Sequence, residues 1–151
     1  QGKTIGYTSR AFTDGVKPKY YSHYEPNFVF NTNNQLPDSK FVIVCEGPFD
    51  AMSIDGVAVL SNECSEIQAD IIDSLGREVI VIPDSDRAGM KLVDQAIEYG
   101  WSVSFPTWQS THKDVNGAVA EYGKLFVLKS ILAGKEKSRL KIELKRKKLY
   151  N

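Results

Sequence analysis

Three apolar, largely β-branched runs each lead into acidic residues, and this pairing limits what the chain can fold into more than any other feature. Phe41-Val42-Ile43-Val44-Cys45 runs into Glu46-Gly47-Pro48-Phe49-Asp50, and Val79-Ile80-Val81-Ile82-Pro83 runs into Asp84-Ser85-Asp86. Trp101-Ser102-Val103-Ser104-Phe105 leads by a short loop to Lys113-Asp114-Val115-Asn116. Continuous apolar runs bounded by Gly or Pro read as strands buried on both faces, which in α/β proteins are parallel strands covered by helices. Val57-Ala58-Val59-Leu60 fits a further strand. Between the strands, Ser65 caps an expected helix running to about Leu75, with Ile67, Ile71, Ile72 and Leu75 on one face and Gly76 as the stop. A second helix is expected from about Arg87 to Tyr99, burying Met90, Val93, Ala96 and Ile97. The alternation predicts an α/β fold with a parallel sheet of about four strands, whose ligands gather outside the carboxyl ends of the strands. Glu46, Asn62, Asp84 and Asp114 fall on that rim, and carboxylates collected at one sheet edge need a cation.

Charge sharpens the reading. The chain carries 19 basic and 19 acidic residues, but they are segregated. Residues 41 to 134 hold 14 Asp/Glu against 6 Lys/Arg, whereas residues 135 to 148 hold 8 Lys/Arg against 2 Glu. An acidic centre beside basic ends suits a metal site working on a polyanion, although a Lys-rich helical end also serves as a plain solvated surface. At 151 residues and 42% hydrophobic composition, one core plus appendages is expected. There is no run of eighteen apolar residues and no signal-peptide pattern, so the expectation is a cytoplasmic protein with no membrane partner. Cys45 and Cys64 lack the paired spacing of a zinc site and read as reduced packing thiols. Gln1-Gly2-Lys3-Thr4 opens without Met and flows into a strand-like run, which suggests a piece excised from a longer protein.

Asp84 and Asp86 alternate just past a strand, so a tight loop can turn both carboxylates toward one point and offer the hard oxygen ligands that Mg2+ or Mn2+ prefers. Alone, an Asp-x-Asp is a common surface turn. Glu46 followed by Gly47 and Pro48 adds to it, because Gly permits close backbone approach and Pro can begin a helix that carries Asp50.

Taken together, Glu46-Gly47-Pro48-Phe49-Asp50, Asp84-Ser85-Asp86-Arg87-Ala88-Gly89 and Lys113-Asp114-Val115-Asn116 resemble the signature of the Toprim domain. That module is shared by DnaG-type primases, type IA and II topoisomerases, and some nucleases and recombination proteins. The resemblance covers about Lys40 to Tyr122. It divides the chain into a strand-rich segment 1–39, a catalytic domain 40–123, and a C-terminal helix with a basic tail at 124–151. Ala88 resembles the primase form, since topoisomerases usually carry an acid there. Lys113-Asp114-Val115-Asn116 is similar to the Lys-Asp-x-Asn of phage primase-helicases. Upstream, Thr4 to Arg10 followed by Lys17-Pro18-Lys19-Tyr20-Tyr21-Ser22 resembles the stretch that precedes Toprim in DnaG-type primases. The loop Ser61-Asn62-Glu63-Cys64 departs from the Gly-Thr-Ala of bacterial primases, and neither a zinc ribbon nor a Walker motif is present in the sequence.

The resemblance implies a DNA primase core, with template choice lying outside these residues, that makes RNA primers on single-stranded DNA from nucleoside triphosphates during replication. It also implies two ions of Mg2+ or Mn2+, and a replicative helicase as a partner. Glu46, Asp84 and Asp86 are the implied catalytic carboxylates, with Asp50 and Asp114 completing the metal set. Arg10, Lys17, Lys19 and Asn62 are the candidates for holding triphosphate or template. Arg87 and Lys113 flank the acids and either orient phosphate or offset carboxylate repulsion. Two rivals stand beside this reading: a Toprim nuclease that uses the same carboxylates to activate water, and a non-catalytic nucleic-acid-binding module. The remaining conspicuous residues take blander readings. Tyr20, Tyr21, His23 and Tyr24 read as a packed strand before a base-stacking surface, His112 as a loop residue, and Trp101 as core. Leu125, Phe126, Leu128, Ile131, Leu132, Leu140 and Leu144 suggest a helical stretch laid on the domain with its Lys-rich end free.

Overall fold

The computed structural model describes residues 3–111 and 114–150. Its centre is a five-stranded sheet in the order β4-β3-β5-β6-β7. Here β3 is Phe41–Cys45, β4 Val57–Ala58, β5 Glu78–Val81, β6 Ser102–Ser104 and β7 Lys135–Glu136. The first four are mutually parallel, as the unbroken apolar runs require, and β7 closes one edge antiparallel to β6. The expected strand of four residues at Val57 shortens to two: the Val59 and Leu60 amides still donate to the Cys45 and Glu46 carbonyls, but Leu60 takes a left-handed φ of 62° that ends the extended run. Phe30 bridges Ala58 on the outer side, so the β4 edge is not left bare.

Alternation along the strands fills two cores, one on each face. Val42, Val44, Val79, Val81 and Val103 point to the side of α2 (Glu66–Asp73) and α3 (Gly89–Glu98), where they meet Ile72, Leu92, Val93 and Ala96. Ile43, Cys45, Ile80 and Ile82 point to the side of α1 (Pro48–Ser53), α4 (Val115–Tyr122) and α5 (Lys124–Gly134), meeting Ala51, Ala118, Val127 and Ile131. Ser65 caps α2 through a reciprocal capping box: its hydroxyl accepts from the Gln68 amide, and the Gln68 side chain accepts from the Ser65 amide. Gly76, with φ at 67°, ends that turn as its position predicts. Trp101 is 4% exposed and donates its indole N–H to Asp73, in keeping with a core residue.

Two parts of the architecture were not legible in the apolar pattern. The N-terminal segment forms an antiparallel hairpin of β1 (Gly6–Arg10) and β2 (Tyr20–Tyr24), pairing Gly6 with Tyr24 and Arg10 with Tyr20. Tyr20, Tyr21 and Tyr7 are exposed on it, so the Tyr run is a paired strand without being a buried one. The C-terminal stretch is two helices separated by β7, and the second, α6 (Arg139–Tyr150), crosses to the α2/α3 face. The expectation of a free Lys-rich end does not hold. Ile142 is 1% exposed in the core, Lys145 pairs with Glu136, and Arg146 pairs with Asp94 of α3 and with Glu143. Antiparallel β7 turns the chain at the sheet edge and so delivers α6 to the opposite face from α5. No helix among the described residues is long and apolar enough to cross a membrane.

Candidate active site

The strand order reverses between β3 and β5: the chain leaves β3 toward β4 and then crosses back to β5. Such a switch point opens a crevice at the carboxyl ends of the strands. Glu46 follows β3 directly and Asp84 lies three residues past β5, so these two acids face each other across it. The Asp84 amide donates to Glu46 Oε2 at 3.3 Å, which brings the two carboxyl groups together in the crevice. Burial first, and then the Asp84 carboxyl, push Glu46 up to about 9. Burial raises Asp84 as well, with Asp86 and Asp114 adding like charge. Glu46 Oε1 is buried and has no partner.

The other acids are held by helix N-termini. Asp86 accepts from the Gly89 amide at 3.1 Å at the start of α3. Asp114 caps α4, accepting from the Gly117 amide at 2.7 Å, and Asp50 in the first turn of α1 reaches the same helix end to accept from the Asn116 amide at 2.8 Å. Burial pushes Asp50 up to about 6 against that hydrogen bond. One oxygen of each of these three carboxylates is thus fixed by backbone, which sets where the second can point.

All five acids line one cavity of about 390 Å³. Its opposite wall is the β1–β2 hairpin, which contributes Thr8, Lys19, Tyr20, Ser22 and Tyr24, and its floor includes Leu60, Ser61 and Asn62. Tyr24 ties hairpin to sheet by donating to the Leu60 carbonyl at 3.4 Å. Lys19 also lines a neighbouring cleft of about 770 Å³ with Arg10, Lys17, Phe12 and Phe49. Arg10 lies 5.6 Å from the Tyr20 ring centroid, and its charge lowers Asp50 in opposition to burial. Arg87 sits apart from the acid cavity, on a second cleft with Met90, Glu143, Arg146, Lys147 and Tyr150. Lys113 and His112 lie outside the described residues.

Sequence reasoning brought the acids, Lys19 and Asn62 to one place and missed the residues that close it. The strained Leu60 has no sequence signal. The Tyr20 and Tyr24 pair could have been found from the alternation of β2, and Tyr150 sits too far along the chain for any local pattern to reveal. Cys45 and Cys64 are both buried thiols pushed upward by desolvation, Cys64 to about 12, and so have no nucleophilic character.

Among the described residues, no three His, Cys, Asp or Glu side chains stand close enough together to chelate an ion as arranged. Even so, the donor set fits a hard divalent cation. It is all oxygen, it holds a buried unpartnered carboxylate oxygen, and its Glu46–Asp84 pair requires either a proton or a cation between its members. A Mg2+-type ion commonly keeps waters and takes substrate phosphate oxygens, so a partial protein shell is the usual arrangement.

Residues 43–119 match the Toprim-like family. The chain belongs to it. The DNA primase of Aquifex aeolicus (strain VF5) is 22% identical over 142 residues, covering 82% of this chain and 28% of that primase. The crystal structure of the Aquifex aeolicus primase zinc-binding and RNA polymerase domains superposes with a TM-score of 0.69 at 22% identity, over 95% of this chain and 42% of that one. The RNA polymerase domain of Mycobacterium tuberculosis primase DnaG gives 0.72 at 17% identity, over 90% of this chain and 52% of that one. A DnaG primase catalytic domain bound to ssDNA gives 0.69 at 18% identity, over 87% and 48%. The Toprim-like chain therefore has the fold of a DnaG-type primase catalytic core, hairpin included, and spans about half or less of each of these proteins.

Proposed function

We propose that this Toprim-like chain is the nucleotidyl-transfer centre of a DnaG-type DNA primase, joining ribonucleotides on a single-stranded DNA template. The observation that carries the reading is the facing of the five-carboxylate cavity by a hairpin that supplies Lys19, with Arg10 and Lys17 on the adjoining cleft. A bare metal-dependent hydrolase needs the acids alone, whereas a polymerase must also hold a template and a triphosphate beside them.

In this reading Glu46, Asp84 and Asp86 hold Mg2+ or Mn2+, with Asp50 and Asp114 completing the shell directly or through water. Ions held there would activate the 3′-hydroxyl and neutralise the pyrophosphate leaving group. The rest falls to the chain's own groups. Burial favours the neutral form of Glu46, and a cation held beside it would favour its carboxylate instead. Lys19 holds a phosphate across the cavity from the carboxylates, and Asn62 offers an amide to the nucleotide. Arg10 and Lys17 hold the template backbone along the hairpin, Lys113 offsets charge beside Asp114 in the sequence, and Arg87, on a cleft apart from the acids, takes no part in holding the reacting phosphates. A replicative helicase and the rest of the primase supply template choice, in the cytoplasm where replication proceeds. The phage form of the enzyme rests on Lys113-Asp114-Val115-Asn116.

The test is a primer-synthesis assay on single-stranded template with ribonucleotides and Mg2+ or Mn2+, run beside a nicking assay on supercoiled DNA. Template-dependent ribonucleotide products, lost in D84N/D86N, are expected. Nicking without synthesis would make the chain a Toprim nuclease, and binding without either reaction would make it a recognition module.

A further inference from the structure

The aspartate-bearing loop is held from behind by the last helix. Tyr150, near the end of α6, donates its hydroxyl to the Asp84 carbonyl oxygen at 2.8 Å. The approach is tight. A Cβ at Gly89 would stand 2.4 Å from that same carbonyl oxygen and 3.0 Å from the Tyr150 oxygen, so only glycine leaves room for the phenol to reach its acceptor. Asp84 is thereby held through both of its backbone polar groups, its amide donating to Glu46 and its carbonyl accepting from Tyr150. Fixing both groups fixes the torsions between them, and with them the direction in which the Asp84 side chain leaves the backbone. The helix has its own anchors besides this bond: Ile142 in the core and Arg146 paired with Asp94. Because α3 starts at Gly89, immediately after the aspartates, α6 spans the loop and the helix that follows it.

We propose that Tyr150 is a positioning residue for Asp84, and that α6 braces the aspartate loop in the geometry that receives the divalent ion. The inference rests on the metal reading of the cavity. The phenol touches no reacting atom; it acts through the carbonyl of the residue that does.

Tyr150→Phe keeps the ring and the helix and removes only the hydroxyl. Titrating Mn2+ alone into the folded protein, with free Mn2+ counted by its electron paramagnetic resonance, should show the apparent Kd of Y150F rising about tenfold over wild type, as for loss of a group that orients a metal ligand. In primer synthesis kcat should fall while the nucleotide KM stays put. Ile142→Val, which trims core packing in the first turn of α6, two turns from Tyr150, and leaves the phenol on its acceptor, should lower Tm at least as much as Y150F and keep wild-type Mn2+ affinity. Wild-type affinity in Y150F, or an equal loss in I142V, would overturn the brace while leaving the metal reading intact. Failure of the wild-type protein to bind Mn2+ at the acid cavity would overturn both.

Discussion

At the scale of single residues, the site is governed by the cost of gathering carboxylates in a partly dry crevice. Glu46 moves from an ordinary 4.5 to about 9, and Asp50 from 3.8 to about 6, chiefly through burial. A carboxyl whose folded value lies above its unfolded one binds its proton more tightly when folded, so its contribution to stability is complete at acid pH and is lost as pH rises through the folded value. The metal-free protein should therefore lose Tm as pH climbs through the window from about 4.5 to about 9, and Glu46→Gln, which stays neutral, should flatten that fall. Thermal melts in EDTA across pH 5 to 10 check this, one such proton contributing a slope of up to about 1.4 kcal/mol per pH unit; parallel curves for the two proteins would refute it. Adding the cation reverses the sign, because the ion displaces the proton. Mn2+ binding at pH 7 should release protons, seen as a calorimetric heat that changes with the ionisation enthalpy of the buffer, and E46Q should release fewer. The double variant D84N/D86N should lose Mn2+ binding and synthesis while its fold holds or gains slightly, since like charges have been removed; loss of folding would mark the pair as structural.

At the scale of elements, the helices that were most legible are those whose start is written locally. The Ser65–Gln68 capping box fixes the beginning of α2, and Ser65→Ala should cost about 1 kcal/mol in urea unfolding. The α3 start slips two residues later than its pattern suggests, from Arg87 to Gly89, because the Asp86 carboxylate takes the Gly89 amide and holds the intervening residues as a turn. The C-terminal region was harder, since Leu125 to Leu144 carry helical periodicity on both sides of a two-residue strand that no period announces. Leu125, Phe126, Leu140 and Leu144 are exposed and were poor guides to burial, whereas Val127 and Ile131 of α5, and in α6 Ile142 flanked by charge, enter the cores.

At the scale of the whole molecule, the segregation of charge takes on a shape. Lys19 of the hairpin stands across from the acids with Arg10 and Lys17 on the adjoining cleft, while basic residues of α6 are partly committed to ion pairs with Asp94, Glu136 and Glu143. Lys17→Ala with Lys19→Ala should weaken single-stranded DNA binding and lower the slope of log K against log salt by roughly one to two, because each lost phosphate contact releases fewer counterions. Neutralising Lys147 and Lys148, near the end of α6 and absent from the lining of the hairpin cleft, should change that slope less. Fluorescence anisotropy from low to physiological salt measures both, and equal slopes for wild type and the hairpin variant would remove Lys17 and Lys19 from the binding surface.

The sequence by itself determined the parallel sheet, the acids at its rim and the family, since all three follow from patterns a few residues long: apolar runs, turn residues after them, and carboxylates at fixed offsets. It did not determine which of those carboxylates are brought together, that Tyr20 and Tyr24 line the cavity instead of filling a core, or that the last helix reaches back to the aspartate loop. Those are contacts between residues 38 to 66 positions apart, such as Glu46 with Asp84 and Tyr150 with Asp84. No local propensity encodes them. They exist because the crossover from β4 to β5 opens a crevice between β3 and β5, and because the antiparallel β7 returns the chain to the face where that loop lies.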